Sequence, residues 1–182
     1  MKLSRGKKVP NLGKLLIVSS PIGNLKDISI RALETLKECD YIACEDTRVS
    51  LKLLKHFAIQ KRCISLHEHS SPAKLSHLIE QMRGGKKIAL LSDAGTPLIS
   101  DPGRELVKLA VGNEIEVIPI PGASAILSAL CVSAIEWESF RFIGFFPRSL
   151  AEKDELFKDL KMKNNEVLVF FESPKRVLDS LR

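Results

Sequence analysis

Hydrophobic and polar positions predict strands and helices in turn along the first 135 residues of the chain. Five short apolar runs predict strands, and each precedes a segment whose apolar residues recur every three or four positions, as on one face of a helix. The five runs are "LLIVS", "YIACE", "CISL", "KIALL" and "IEVIPI". Because they are continuously apolar, they favour a parallel sheet covered by helices on both faces. The predicted fold class is α/β, with a doubly wound, Rossmann-like parallel sheet.

The same pattern predicts how three of the helices begin or pack. Asp27 is predicted to be the N-cap of the first helix. Asp101 is predicted to cap the fourth helix, with Pro102 at the first helical position. The segment "ASAILSALCV" follows the fifth strand and contains no charged residue, which predicts a buried helix.

The pattern changes after residue 135. "FRFIGFF" and "EVLVFF" predict two aromatic strands, and the polar segment "AEKDELFKDLK" between them predicts a helix. These elements predict a second, smaller α/β domain, which we expect to be incomplete. The predicted organisation is a basic N-terminal tail over residues 1–13, an α/β domain over 14–135 and a partial C-terminal domain over 136–182.

Composition narrows the class of protein. The chain has 182 residues, 45% of them hydrophobic, which is enough to bury a core. Apolar runs fall well short of the roughly 18 residues that span a bilayer, so we expect a cytoplasmic protein with no membrane partner. The four cysteines are widely spaced and form no C-x-x-C motif, which favours buried, reduced thiols over a disulfide or a metal site.

Net charge points towards a phosphate-rich partner without proving one. The formal charge is +6, and several of the excess cations lie in the N-terminal tail. Such a tail can be a solvated segment or a contact with nucleic acid, and composition leaves both open.

Unusual residues collect in the connections that follow strands. The loops that lead from helix to strand are ordinary polar turns, whereas those that lead from strand to helix contain Pro, Gly, His and clustered carboxylates. The latter are "SSPIGN", "EDTR", "HEHSSP", "SDAGTPLISDPG" and "PGAS". In an open parallel sheet these loops share the carboxyl edge, where ligands bind. The asymmetry therefore predicts a ligand site at that edge.

Individual loops have both structural and functional interpretations. In "EDTR", Asp46 could pair with Arg48 or cap a helix, or it could act as a general base or orient a polar substrate. In "SDAGTPLISDPG", Gly95 allows close approach of a ligand to the backbone, and Thr96 could bind a polar group. "PIGN" and "PGAS" are equally compatible with simple turns or caps and with ligand contacts.

The "HEH" loop raises the question of a metal site. His67 and His69 point to the same side of an extended chain, with Glu68 between them. Because no third ligand is evident, we expect no metal.

Six segments occur in the same order in one known family. They are "SSPIGNLKDISIRALETL", "EDTR", "SDAGTPLISDPG", "PIPGASA", "GFFPR" and "FFESPKR". From about Lys14 to its last residue, the chain resembles the tetrapyrrole methylase family of S-adenosylmethionine-dependent methyltransferases, in the branch that methylates ribosomal RNA. It departs from that family's usual pattern after "HEH", where Ser70 and Ser71 stand in place of Asn-Glu.

The resemblance implies a two-domain homodimer that binds S-adenosylmethionine between its domains. It implies methyl transfer to the 2′-hydroxyl of a cytidine in the decoding region of 16S rRNA, in the small ribosomal subunit. It makes Asp46 the catalytic candidate, as proton acceptor or orienting group, with Glu45 and Arg48 positioning the RNA. The residues implied to contact the cofactor are Ile22, Ala94, Gly95, Thr96, Ile99, Ser124, Ala125 and Phe171.

Two alternatives remain at this point. One is a tetrapyrrole carbon methyltransferase of the precorrin type, which is the other chemistry of the same family. The other is a truncated, non-catalytic module that binds RNA or dimerises.

Overall fold

The computed structural model of the chain describes residues 12–160 and 166–180. Most of the predicted basic tail lies outside these residues. The chain divides after Ala123 into two compact units. The domain boundary at residue 135 stays a prediction.

The first unit alternates strands and helices as the hydrophobic pattern predicts. Apolar segments form the strands, and amphipathic segments form the helices between them. In chain order the elements are β1 (Lys14–Val18), α1 (Ile30–Glu38), β2 (Tyr41–Cys44), α2 (Thr47–His56), β3 (Arg62–Ser65), α3 (Pro72–Arg83), β4 (Lys87–Leu91), α4 (Arg104–Gly112) and β5 (Glu116–Ile120).

The five strands form one parallel sheet in the order β3-β2-β4-β1-β5. The predicted doubly wound α/β class is therefore confirmed. The chain moves outward from β1 through β2 to β3, then returns to β4 beside β1 and continues to β5. This reversal of direction places α1 and α2 on one face of the sheet and α3 and α4 on the other.

Two apolar clusters cover the two faces of the sheet. One contains Ala32 and Leu36 of α1 with Leu53 and Leu54 of α2. The other contains side chains of α3 and α4. Because each strand contributes alternate residues to the two clusters, both faces of the sheet are dry. The helices packed on both faces hold the strands in place. The strand ends, and the loops of the candidate site that follow them, are therefore fixed as well.

Two predicted helix starts are wrong. The N-cap of α1 is Ser29, whose hydroxyl accepts from Ala32 N, whereas Asp27 ends a short 3₁₀ turn that Asn24 caps. Helix α4 begins at Arg104 after Gly103, at φ 118°, so Asp101 and Pro102 precede the helix without starting it. In both places a residue nearer the first helical turn takes the cap position.

The second unit contains α5 (Ala125–Val132), β6 (Ser139–Phe145), α6 (Leu150–Leu160), β7 (Glu166–Phe171) and α7 (Val177–Ser180). Strands β6 and β7 are the predicted aromatic strands, and they pair in parallel. Their rings pack edge to face, as Phe142 does against Phe171 at 4.9 Å between centroids. Helix α5 buries Leu130 alone among its residues, so the burial predicted for the whole helix is wrong.

Candidate functional site

The loops with unusual residues meet at one edge of the first unit's sheet, as predicted. The parallel register places Leu91, the last residue of β4, beside Val18 of β1 and Cys44 of β2. Val18 in turn lies beside Ile120 of β5. The segments that follow these residues are therefore neighbours in space, although Val18 and Ile120 are 102 positions apart in the chain.

A two-way backbone bridge joins the loop after β1 to the loop after β4. Ser20 N donates to Gly95 O at 2.9 Å, and Gly95 N donates to Ser20 O at 3.1 Å. Gly95 has φ 77°, a left-handed conformation that favours glycine. A Cβ at this position would lie 3.3 Å from Cγ2 of Ile22, so the glycine also lets the two loops approach closely.

Hydroxyl groups extend this bridge to the loop after β5. Ser19 Oγ donates to Thr96 Oγ1 at 3.3 Å, and Thr96 Oγ1 donates to the carbonyl of Ala123 at 3.2 Å. Ser92 Oγ donates to the carbonyl of Gly95 at 2.8 Å. Three of the four predicted cofactor residues in the β4 loop, namely Ala94, Gly95 and Thr96, thus belong to a segment held in place from three strand ends. Ser19 and Ser92 are contributors that motif reasoning missed, and their only sequence signal was a polar residue ending an apolar strand.

The rest of the loop after β4 has an unusual backbone. Leu98 and Ser100 have φ values of 74° and 69°, and Gly103 has 118°. Left-handed conformations in residues other than glycine are uncommon and are maintained by their surroundings. Ile99, between the first two, exposes 41% of its surface. The loop therefore presents an apolar side chain on a strained segment, at the position where the motif implies a cofactor contact.

Four carboxylates gather beside this region, at the ends of β2 and β4. They include Asp46, which the sequence singled out, and Asp93, whose Oδ1 accepts from the backbone N–H of Asp46 at 3.2 Å. Glu45 and Asp101 complete the group, since both interact electrostatically with Asp93. Motif reasoning treated Asp101 as a helix cap, and its nearness to Glu45 follows from the sheet order rather than from any local signal.

Asp46 is held by Arg48 and by the helix that it caps. Arg48 Nη2 donates to Oδ2 of Asp46 at 2.7 Å, and Arg48 Nε donates to Oδ1 at 3.0 Å. The backbone N–H of Arg48 donates to Oδ1 at 2.8 Å. These hydrogen bonds lower the pKa of Asp46 to about 2. Both structural interpretations of "EDTR", the ion pair and the cap, are therefore present in the fold.

Asp101 has the opposite electrostatic character. Its desolvation, with the nearby charges of Glu45 and Asp93, raises the pKa of Asp101 to about 6. Desolvation and the charges of Asp93 and Asp46 also raise the pKa of Glu45 above its ordinary value. The edge of the sheet thus holds one carboxylate that binds protons weakly and two that bind them more tightly than usual.

A cavity of about 470 Å³ opens next to these carboxylates. It lies between the end of β2, the "HEH" loop after β3 and the start of α4, and its lining includes Glu45, His67, Glu68, Asp101 and Arg104.

The two serines that depart from the family pattern have local structural roles, and Ser70 also lines this cavity. Ser70 closes the "HEH" turn, since its Oγ accepts from His67 N at 3.0 Å. Ser71 caps α3, since its Oγ accepts from Lys74 N at 3.3 Å.

The remaining predicted cofactor residues lie in the second unit. Ser124 is the N-cap of α5, with its hydroxyl accepting from Leu127 N at 3.4 Å, and Ala125 is the first helical residue. Phe171 ends β7, where its ring lies 5.8 Å from that of Phe145. Their cofactor contacts stay predictions.

Neither a metal-binding cluster nor a membrane-spanning helix is found among the residues that the structure describes. Over residues 12–160 and 166–180, no three His, Cys, Asp or Glu side chains are grouped as metal ligands would be. Over the same residues, no helix is long and apolar enough to cross a membrane.

The family of tetrapyrrole (corrin/porphyrin) methylases matches the chain over residues 14–182, and the chain belongs to that family. Methylases of this family use S-adenosylmethionine.

Proteins named "ribosomal RNA small subunit methyltransferase I" are close relatives. The one from Halalkalibacterium halodurans is 48% identical over 93% of this chain and 58% of its own length. The one from Thermotoga maritima is 48% identical over 94% of this chain and 76% of its own length. The one from Haemophilus influenzae is 49% identical over 93% of this chain and 59% of its own length. The chain therefore spans less than two thirds of two of these three relatives.

Solved structures support the fold at lower identity. A crystal structure of diphthine synthase superposes with a TM-score of 0.65 and 19% identity, covering 89% of this chain and 66% of that one. Uroporphyrin-III-C-methyltransferase from Thermus thermophilus gives a TM-score of 0.58 and 19% identity, covering 80% of this chain and 72% of that one.

Proposed function

We propose that the chain carries the catalytic site of an S-adenosylmethionine-dependent methyltransferase that modifies RNA of the small ribosomal subunit in the cytoplasm. The acceptor is the 2′-hydroxyl of a cytidine in the decoding region of 16S rRNA, and the active species is a homodimer. The observation that carries the proposal is the bridged pair of loops after β1 and β4, in a chain nearly half identical to rRNA methyltransferases.

The residues of the bridge fit the proposed cofactor. Ser20 Oγ is buried and has no hydrogen-bond partner among the described residues, so a polar group remains to be satisfied there. Gly95 keeps the space that a Cβ would fill beside Ile22. The residues that we propose to contact the cofactor are Ile22, Ala94, Gly95, Thr96, Ile99, Ser124, Ala125 and Phe171.

When bound, S-adenosylmethionine would supply a methyl group on a sulfonium sulfur with a good thioether leaving group. The protein then has to align the acceptor oxygen, exclude water and accept the proton of a weakly acidic hydroxyl. Asp46 is our first candidate for this work, and Glu45 and Arg48 are candidates for holding the RNA. Arg48 binds both carboxylate oxygens of Asp46, and the pKa of Asp46 is about 2. These contacts favour a role for Asp46 in orienting the ribose over a role as proton acceptor.

The proton acceptor can be separated from the orienting group by experiment. A general base works best when its pKa lies near the working pH. Because the pKa of Asp101 is about 6, substitutions of Asp101 should be compared with substitutions of Asp46. Loss of an orienting group lowers the rate at every pH. Loss of the base also removes the acidic limb of the pH–rate profile.

The test is methyl transfer to small subunits isolated from a strain that lacks the modification. Nucleoside mass spectrometry should find 2′-O-methylcytidine, and primer extension should place it in the decoding region. A methyl group on carbon of an added precorrin-type tetrapyrrole would support the carbon methyltransferase instead. Absence of S-adenosylmethionine binding would support a non-catalytic module, and light scattering tests the homodimer independently.

A further inference from the structure

Helix α2 carries an unbalanced positive charge on its exposed side. Its sequence, "TRVSLKLLKH", contains no carboxylate, and the helix buries Ser50, Leu53 and Leu54. Arg48, Lys52 and Lys55 follow the i, i+4, i+7 spacing, so they lie along one side of the helix, and all three are exposed. The other described helices that contain a Lys or Arg, namely α1, α3, α4 and α6, also contain acidic residues.

The positive surface continues beyond the end of the helix. A cavity of about 510 Å³ is lined by Lys55, Lys61 and Arg62, with Gln60 and apolar residues, and no acidic residue lines it among the described residues. Lys61 Nζ donates to the carbonyl of Cys39 at 2.6 Å, and the Arg62 guanidinium lies 5.9 Å from the centre of the Tyr41 ring. We call the following five cations the basic track: Arg48, Lys52, Lys55, Lys61 and Arg62.

Three cations of the basic track, Lys52, Lys55 and Arg62, differ from the ion-paired cations of the first unit, which include the track's own Arg48. Lys14 pairs with Glu116 at 2.8 Å, and Lys86 pairs with Asp40 at 2.9 Å. Over the described residues no carboxylate pairs with Lys52, Lys55 or Arg62. The track therefore has a net positive charge, which attracts an anionic partner.

A purely structural explanation covers only part of the track. A cation at the C-terminus of a helix is favoured by the helix dipole, and Lys55 lies in the last turn of α2. Lys52 lies before that turn, and Arg62 belongs to the next strand, so the dipole does not account for either.

The direction of α2 links the track to the candidate site. The helix begins at the carboxyl edge of the sheet, where Asp46 caps it and pairs with Arg48, and it runs back towards the amino edge. From residue 48 to residue 55 the rise is about 10 Å, at 1.5 Å per residue. A span of this length lets the track face more than one phosphate of a single strand.

We propose that the basic track binds the phosphate backbone of the rRNA strand whose nucleotide enters the carboxyl-edge site. This inference rests on the proposed function, because that function supplies the RNA. Lys52 and Lys55 act as point charges on phosphates, and Arg62 offers a planar group with several donors. The contacts are independent of sequence, so they position the strand, and the carboxyl-edge loops select the nucleotide.

The test compares Lys52→Gln/Lys55→Gln with a matched control, Lys108→Gln/Lys158→Gln. The control removes the same charge from exposed lysines on α4 and α6. The probes are unmodified small subunits and an RNA fragment of the decoding region, titrated at several KCl concentrations.

For the track variant we expect a Kd about fivefold to tenfold higher and a log Kd–log[KCl] slope reduced by about 1.5 to 2, the value for two phosphate contacts. KM for small subunits should rise while kcat is nearly unchanged, because the lost binding is uniform. The control variant should keep the wild-type Kd, slope and KM. Both variants should bind S-adenosylmethionine with wild-type affinity.

Two results overturn the inference and can be told apart. If wild-type protein methylates the subunit but the track variant keeps the wild-type slope and KM, the track is wrong and the proposed function stands. If wild-type protein binds neither RNA probe, the proposed function fails together with the track.

Discussion

Ser20 and Gly95 exchange two backbone hydrogen bonds, at 2.9 and 3.1 Å, although 75 positions separate them. Ser20 follows β1 and Gly95 follows β4, and these strands are neighbours in the sheet. Because the two strands are neighbours, the bridge holds the loops that follow them in a fixed position at the carboxyl edge of the sheet. Because the bridge consists of backbone groups, its test requires changes in φ and in space rather than removal of a functional group.

Gly95→Ala should destabilise the protein. Alanine at φ 77° is unfavourable by about 1 to 2 kcal/mol, and its methyl group would contact Ile22 at 3.3 Å. Urea unfolding should show a loss of about that size. Gly112→Ala is the matched control, because a Cβ there meets nothing within 4 Å, and it should be neutral or slightly stabilising. Equal effects of the two substitutions would contradict the role of Gly95 in the bridge.

Substitutions of Asp46 should separate the cap from the charge. Asn can still accept from the backbone N–H of Arg48, so Asp46→Asn should change stability little, whereas Asp46→Ala should lose about 1 kcal/mol in urea unfolding. Both variants lose the carboxylate that binds Arg48, so both should methylate rRNA at least tenfold more slowly with normal cofactor binding. Wild-type methylation by Asp46→Asn would exclude the carboxylate from catalysis.

Asp101→Asn should change the pH dependence of stability. Asp101 has a pKa of about 6 in the folded protein against an ordinary 3.8, so folding favours its protonated form. Its contribution is fully present below pH 3.8 and is lost as the pH rises through 6. After allowance for solvent screening, the variant should be about 1 to 2 kcal/mol more stable than wild type at pH 7.5 and equal to it near pH 4. A difference that does not change with pH would contradict the assignment.

Ser19 and Thr96 should be energetically coupled. Ser19 Oγ donates to Thr96 Oγ1, which donates to the carbonyl of Ala123, so either substitution breaks the same chain of hydrogen bonds. Ser19→Ala and Thr96→Val should each cost about 1 kcal/mol, and the double variant should cost at least 0.5 kcal/mol less than their sum, with about these sizes expected for linked hydrogen bonds. Additive effects in a double-mutant cycle would show that the two hydroxyls act independently.

Much of the fold follows from the sequence because the strands are apolar on both faces. Only a parallel sheet with helices on each side buries five such strands, and that arrangement alone places all strand-to-helix loops at one edge. The two structural roles of Asp46 could also be predicted, because its helix cap and its ion pair both involve Arg48, only two positions away.

Relationships between distant segments could not be predicted in this way. Asp101 lies near Glu45 because β4 pairs with β2, and its raised pKa depends on that proximity and on desolvation. The prediction of Asp101 as the cap of α4 is wrong because Gly103, at φ 118°, turns the chain after Pro102. The sequence pattern does not predict that backbone angle.

The most direct measurement is a calorimetric titration of the chain with S-adenosylmethionine, repeated with Gly95→Ala and Gly112→Ala. If the bridged loops form the cofactor site, wild type should bind one molecule per chain, with a Kd in the range of about 1 μM to 1 mM that is usual for enzyme KM values. Gly95→Ala should bind at least about tenfold more weakly, and Gly112→Ala should bind as wild type does. Absence of binding by wild type, or equal affinity of wild type and Gly95→Ala, would contradict the assignment of this edge as the methyl-donor site.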